Sequence, residues 1–138
     1  MQITKLTSIA LLLALSAAFG CSPSNQAGLG TVTGSVLIDG QPAPAGLRLE
    51  FDPVEKGVRG STAITNKSGQ YEAEYSISRK GVRTGECVVK LVPPETVPTA
   101  NGKRPKLPFP DQYYEEIRQV NIESGHNTVD IEISKQGN

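Results

Sequence analysis

From Thr31 onward the apolar residues of this chain recur at every second position, and that period, rather than the helical 3.6, decides what the chain can become. Val32, Gly34, Val36 and Ile38 share one face of the first run, opposite Thr31, Thr33 and Ser35. Leu47, Leu49 and Phe51 alternate with Arg48, Glu50 and Asp52, and Tyr71, Ala73, Tyr75 and Ile77 alternate with Gln70, Glu72, Glu74 and Ser76. Cys87, Val89 and Leu91 oppose Glu86 and Lys90. Arg118, Val120 and Ile122 alternate with Gln119 and Asn121, and Val129, Ile131 and Ile133 with Asp130 and Glu132. A shorter run, Gly60 to Ile64, fills the gap before Tyr71. Each pattern predicts a strand that packs on one side and meets water on the other.

Turn signals separate these seven candidate strands: Asp39-Gly40, Pro42 to Gly46, Asn66 to Gly69, Lys80-Gly81 and Ser124 to Asn127. Short strands at such spacing predict an all-β fold, a seven-stranded β-sandwich or barrel. Only Tyr113 to Ile117 has the pattern of a short helical turn. The domain is expected to run from 31 to 134, with a disordered tail at 135–138.

The N-terminus reads as an address. One cation, Lys5, precedes the apolar run from Ile9, and Ala17, Ala18, Phe19, Gly20 and Cys21 close it. Ile9 to Phe19 is 11 residues, about half of the roughly 20 that a helix needs to cross a bilayer. Small residues before a Cys resemble the bacterial lipobox, which implies a signal peptide over 1–20, a diacylglyceryl thioether on Cys21, and cleavage that leaves Cys21 as the N-terminus. Ordinary secretion with cleavage after Ala18 or Gly20 is the alternative. Ser22 to Gly30 has the composition of a flexible tether, so 21–30 is expected to link anchor and domain. Two or more acyl chains anchor a protein stably where one does not. Under the sorting rule that comes with the lipobox, Ser22 in place of Asp implies the outer membrane, facing periplasm or exterior.

Charge narrows the partners. The chain has 14 Lys+Arg and 14 Asp+Glu; loss of 1–20 removes only Lys5, leaving 118 residues with 13 basic and 14 acidic groups, a balance of −1. That length can bury about two-thirds of its unfolded surface, enough for one core. No nucleic-acid partner is expected from so even a balance. One His and two Cys argue against most zinc sites and a disulfide framework, and neither a nucleophile with its base nor a Gly-rich phosphate loop is present; no catalytic residue, metal or cofactor is expected.

The motifs Val32-Thr33-Gly34-Ser35-Val36 through Asp39-Gly40-Gln41-Pro42 to Leu47, Gly60 to Tyr71 with Thr65-Asn66-Lys67-Ser68-Gly69-Gln70-Tyr71, and Gly81 to Val89 resemble those of carboxypeptidase regulatory-like domains. Leu107-Pro108 to Tyr113, followed by Ser124-Gly125-His126-Asn127, resembles the ending of short bacterial lipoproteins built from one such domain. The resemblance spans most of 31–133. It implies a seven-stranded prealbumin-like (transthyretin-like), Ig-like Greek-key β-sandwich acting as a non-catalytic accessory or binding module.

Individual residues have plain readings beside sharper ones. Asn66 to Gly69 is a hairpin turn rather than a calcium loop, since two neutral oxygens and a Lys suit a hard cation badly. His126 reads as a solvated turn residue, and adjacent Glu115 and Glu116 point apart in extended chain. Cys87, in phase with Val89 and Leu91, reads as an inert core thiol. The most distinctive segment is Pro93 to Tyr114, which holds six of the ten prolines, the basic Lys103, Arg104 and Lys106, and the rings of Phe109, Tyr113 and Tyr114. Loops of this length are often functional. Two readings stand. Lys103, Arg104, Phe109, Tyr113 and Tyr114 form a lip that contacts an envelope protein or a glycan, or the segment is a stiff crossover whose aromatics cover the sandwich edge. A carbohydrate-binding module secreted without a lipid anchor is the alternative for the whole chain.

Overall fold

The computed structural model describes residues 28–95, 100–103 and 105–137. The signal segment 1–20, Cys21, the first part of the tether, Arg104 and Asn138 lie outside the described residues.

The chain is all-β, as its period requires, with two sheets around one core. At the centre of the first sheet is β1 (Leu29–Ile38), whose Val32, Val36 and Ile38 are buried as the alternation predicts. On one side it pairs antiparallel with three short segments in turn: β8 (Val82–Arg83), β5 (Gln70–Glu72) and β2 (Gln41–Pro42). On the other side it pairs parallel with β11 (Gly125–Thr128) and then β12 (Ile131–Ile133), in one register: Gly30 faces Gly125 and Val36 faces Ile131. The second sheet is antiparallel throughout, in the order β10 (Arg118–Ile122), β9 (Gly85–Leu91), β3 (Arg48–Pro53), β4 (Ser61–Ile64), β6 (Glu74–Ser76) and β7 (Arg79–Lys80).

Leu49, Phe51, Cys87, Val89 and Leu91 from the second sheet join Val32, Val36, Tyr71, Ile131 and Ile133 from the first in one buried cluster. The Phe51 and Tyr71 rings meet across it with centroids 6.0 Å apart. On the outer face Glu50 lies opposite Lys90, whose ammonium reaches Asp52 at 3.0 Å and Glu50 at 3.6 Å. The hydrogen bond to Asp52, more than any other contact, raises the Lys90 pKa.

Every expected strand contains strand structure, but the described residues form twelve strand segments rather than seven. The run from Gln70 to Ile77 is broken at Ala73: β5 pairs with the first sheet and β6 with the second. Tyr71 and Ala73 are buried, Tyr75 is half-buried, and Ile77 stands fully exposed in the turn before β7, contrary to its expected inward face. A strand that changes sheet cannot keep one face on the core along its whole length. Ser124 to Asn127, expected as a turn, is largely β11. Its tight bend is made by Asn127, whose Oδ1 accepts from Glu123 N–H at 2.9 Å and whose Nδ2 donates to the carbonyls of Glu123 and Thr31. His126 is exposed on that strand.

The domain also begins earlier than composition suggests. Leu29 is buried and opens β1, so the strand takes the last two residues assigned to the tether. At the other end Lys135 N–H donates to Asp39 Oδ1 at 3.4 Å and Gly137 N–H to the Ser134 carbonyl at 3.3 Å, so 135–137 pack as a turn rather than as a loose tail. No helix among the described residues is long and apolar enough to cross a membrane.

Two turns behave as their residues dictate. Asp39 and Gly40 both have positive φ (50° and 80°), the conformation a two-residue hairpin between β1 and β2 requires. Asn66 Oδ1 accepts from Ser68 N–H at 2.9 Å and Gln70 N–H at 3.0 Å, so its carbonyl oxygen is committed to holding the turn.

Candidate binding groove

The proline-rich segment leaves β9 at the end of the second sheet where Leu91 faces Leu49 and Val92 N–H donates to the Arg48 carbonyl at 3.0 Å. It returns through one helical turn, α1 (Gln112–Glu115), overlapping Tyr113 to Ile117, where the sequence allows a helical turn without favouring one. Tyr113 N–H donates to the Pro110 carbonyl, and Glu116 is already extended. Ile117 N–H then donates to the Val89 carbonyl at 2.7 Å, handing the chain on to β10.

Successive residues of this turn face opposite ways, and that separates the two tyrosines. Tyr113 is buried in the core, and its hydroxyl oxygen accepts from Ser134 N–H at 3.1 Å. It belongs to the structure's interior and is removed from the lip. Tyr114 is half-buried and packs its ring against the core cluster, as does Phe109. Burial pushes the Tyr114 hydroxyl pKa up, against a backbone hydrogen bond from Phe109 that lowers it. Lys103 is exposed; Arg104 lies outside the described residues. The aromatics therefore pack on the core, and one of them also lines a surface.

That surface is a groove of about 370 Å³ bounded by Gly46, Leu47, Arg48, Val92, Pro94, Glu95, Pro108 and Tyr114. One wall is the start of β3 with the turn before it, and the other is the two ends of the proline-rich segment. Prolines and a half-buried ring make its floor apolar and stiff, while Arg48 and Glu95 supply one cation and one anion at its rim. This chemistry suits an extended chain or a sugar ring, whose apolar face stacks and whose polar edges hydrogen-bond. Arg48 escapes the sequence reading, where it appears only as the wet side of a strand, while Pro94 and Glu95 fall within the Pro93 to Tyr114 segment without being among its site residues. The long loop was the available signal for the region.

A second, larger depression of about 670 Å³ opens where the chain changes sheet, lined among others by Ser35, Asn66, Tyr71, Glu72, Glu74 and Asp130. Its polar groups are largely committed to one another. Asp130 Oδ1 accepts from Ser35 N–H and from Ser35 Oγ, each at 2.9 Å; Glu72 pairs with Lys80; Tyr71 O–H donates to the Val129 carbonyl. The hydrogen bond and charge of Glu72 raise the Lys80 pKa. Burial, and then the charge of Asp130, raises that of Tyr71. Cys87 is fully buried, and burial, with a smaller contribution from the Asp52 charge, pushes its thiol up to about 11, far from the thiolate that reactivity needs.

The two ends of the sandwich are distinct. The groove sits where β3 begins and β9 ends. At the opposite end the Gly28 carbonyl accepts from Thr84 N–H at 3.1 Å, just before Gly85 opens β9. The seven residues of β9 span about 20 Å between the two.

No protein-family model and no curated protein matches the sequence. Among solved structures, a 9R-lipoxygenase from Cyanothece PCC8801 is similar over 78% of this chain, at 12% identity and a TM-score of 0.39; the chain spans 17% of that protein's length.

Proposed function

We propose that the chain is a non-catalytic, lipid-anchored protein of a bacterial cell envelope, whose single sandwich domain serves as an accessory or binding module for another envelope protein or a glycan. Cys21 is the acylated residue, and the outer membrane, facing periplasm or exterior, is its site. The domain is of the carboxypeptidase regulatory-like, prealbumin-like Greek-key kind; its Asp39-Gly40 and Asn66 to Gly69 turns, quoted from that family's motifs, support the reading.

One observation carries the functional part. Gly28, seven residues after Cys21, lies at one end of the sandwich, and the Tyr114 groove opens at the other. An anchor at Cys21 attaches the domain at its first end and leaves the groove at the opposite end free to reach an envelope polymer. The test has two arms. The wild-type chain partitions into the detergent phase of a Triton X-114 separation and a Cys21→Ser chain is no longer acylated. Tyr114→Ala and Arg48→Ala each weaken co-sedimentation with purified cell-wall sacculi or capture of the crosslinked envelope partner. Unchanged capture by both groove variants would remove the groove from the function while leaving the anchor in place.

A further inference from the structure

The end of the sandwich nearest the anchor has its own chemistry. Three large hydrophobic residues are exposed among the described residues: Val54, Ile64 and Ile77. Two of them are at this end. Val54 N–H donates to the Glu86 carbonyl at 3.0 Å, which places the β3–β4 loop beside the start of β9 and beside Gly28. β6 runs antiparallel to β4, so the β6–β7 turn with the fully exposed Ile77 comes back to that same loop. An isoleucine wholly in water at the tip of a hairpin gives nothing to the core.

Between the two loops stands Tyr75, with two guanidinium groups against its ring: Arg59 at 5.6 Å and Arg79 at 5.3 Å from the centroid. Neither arginine has a carboxylate within ion-pair distance among the described residues, although Glu72, Glu50 and Asp52 are each paired elsewhere. Over 54–60 and 76–80 the cations are Lys56, Arg59, Arg79 and Lys80, the last tied to Glu72, and the one carboxylate is Glu55; the mature chain as a whole balances at −1. Arg83, Glu86 and Glu123 also belong to this end, so its charge is close to balanced; what it offers is the Arg59–Tyr75–Arg79 stack, with no carboxylate at ion-pair distance among the described residues, beside exposed apolar side chains.

We propose that this end is a membrane-contacting tip: Ile77 and Val54 enter the interface of an anionic phospholipid leaflet while Arg59 and Arg79, held on the Tyr75 ring, engage lipid phosphates. The proposal rests on the Cys21 anchor: the seven residues from Cys21 to Gly28 reach at most about 25 Å, which holds this end within reach of the bilayer but, being longer than β9, does not by itself orient the domain. Aliphatic insertion at the headgroup boundary beside cations is the chemistry of interfacial binding. Acylation supplies attachment, and the tip fixes orientation, so that the groove points outward.

The chain has no tryptophan, so one introduced indole reports alone. The mature acylated protein carrying Ile77→Trp, and separately Lys67→Trp in the far hairpin, is reconstituted into vesicles of phosphatidylglycerol and phosphatidylethanolamine in equal parts, with acyl chains brominated near the headgroup. Flotation reads the anchor, and quenching reads the tip. The expected result is a blue-shifted emission quenched at least twofold at position 77 and unquenched at 67, with the quenching at 77 lost when Arg59→Gln and Arg79→Gln are added. Protein that floats with position 77 as unquenched as position 67, or quenched equally without the arginines, overturns the proposal and leaves the anchor standing. Protein that does not float overturns the anchor and the tip with it.

Discussion

Gly34 shows how closely the first sheet constrains a single position. A Cβ built there would lie 1.9 Å from the Val129 carbonyl oxygen, a backbone atom that cannot yield without moving the parallel strand beside β1. Gly34→Ala is expected to cost about 3 kcal/mol or more, the upper end of overpacking. Gly40→Ala, at positive φ but with open space around it, costs about 1 kcal/mol. Urea unfolding of the two variants separates these values. Cys87 gives the residue scale a pH signature. Its folded pKa, about 11, is above the 9.0 of an ordinary thiol, so the native state holds a proton that the unfolded chain releases. This contribution is constant below pH 9 and is lost as pH rises from 9 towards 11, by an amount of order 2 kcal/mol. The stability of wild type measured against Cys87→Ala should fall across that window; a parallel pair of curves would contradict the buried, protonated thiol.

At the scale of elements, legibility followed how local the governing physics is. β1, β3 and β9 were readable because each keeps one face on one core from end to end, and the alternation of Val, Leu and Phe records that directly. The segment from Gln70 to Ile77 has an equally regular alternation, yet it changes sheet at Ala73, an event set by which partners lie on either side and not by its own residues. β11 was hidden because Gly125 and Asn127 look like a turn; the parallel partner that makes the segment a strand is nearly a hundred positions away. The tyrosine pair in α1 failed for a related reason. Composition assigns Tyr113 and Tyr114 alike to a sticky loop, whereas one helical turn points the first inward to Ser134 and leaves the second at the groove. Tyr113→Phe keeps the ring and leaves the half-buried Ser134 N–H without its acceptor, so a loss of about 1 kcal/mol is expected in denaturant titrations, with no change in ligand capture. Tyr114→Ala should show the opposite emphasis, losing capture first.

For the molecule as a whole, the arrangement that matters is polarity along the strands. Gly28, the exposed Val54 and Ile77 and the Arg59–Tyr75–Arg79 stack share one end; Tyr114, Pro94, Pro108 and Arg48 share the other. Neither grouping is visible along the sequence, because each is assembled from loops tens of residues apart. Only the proline-rich segment announced itself, through its length and its rings. Under the proposed function, this polarity acts through the sulfur of Cys21, which lies outside the described residues and is read from its sequence context. Intact-mass analysis of the protein extracted from its own membranes therefore decides the matter. A polypeptide starting at Cys21 and heavier than its sequence by a diacylglyceryl group, with or without a further acyl chain, is the result expected. An unmodified chain starting at Phe19 or Cys21, recovered with the soluble proteins, would contradict it.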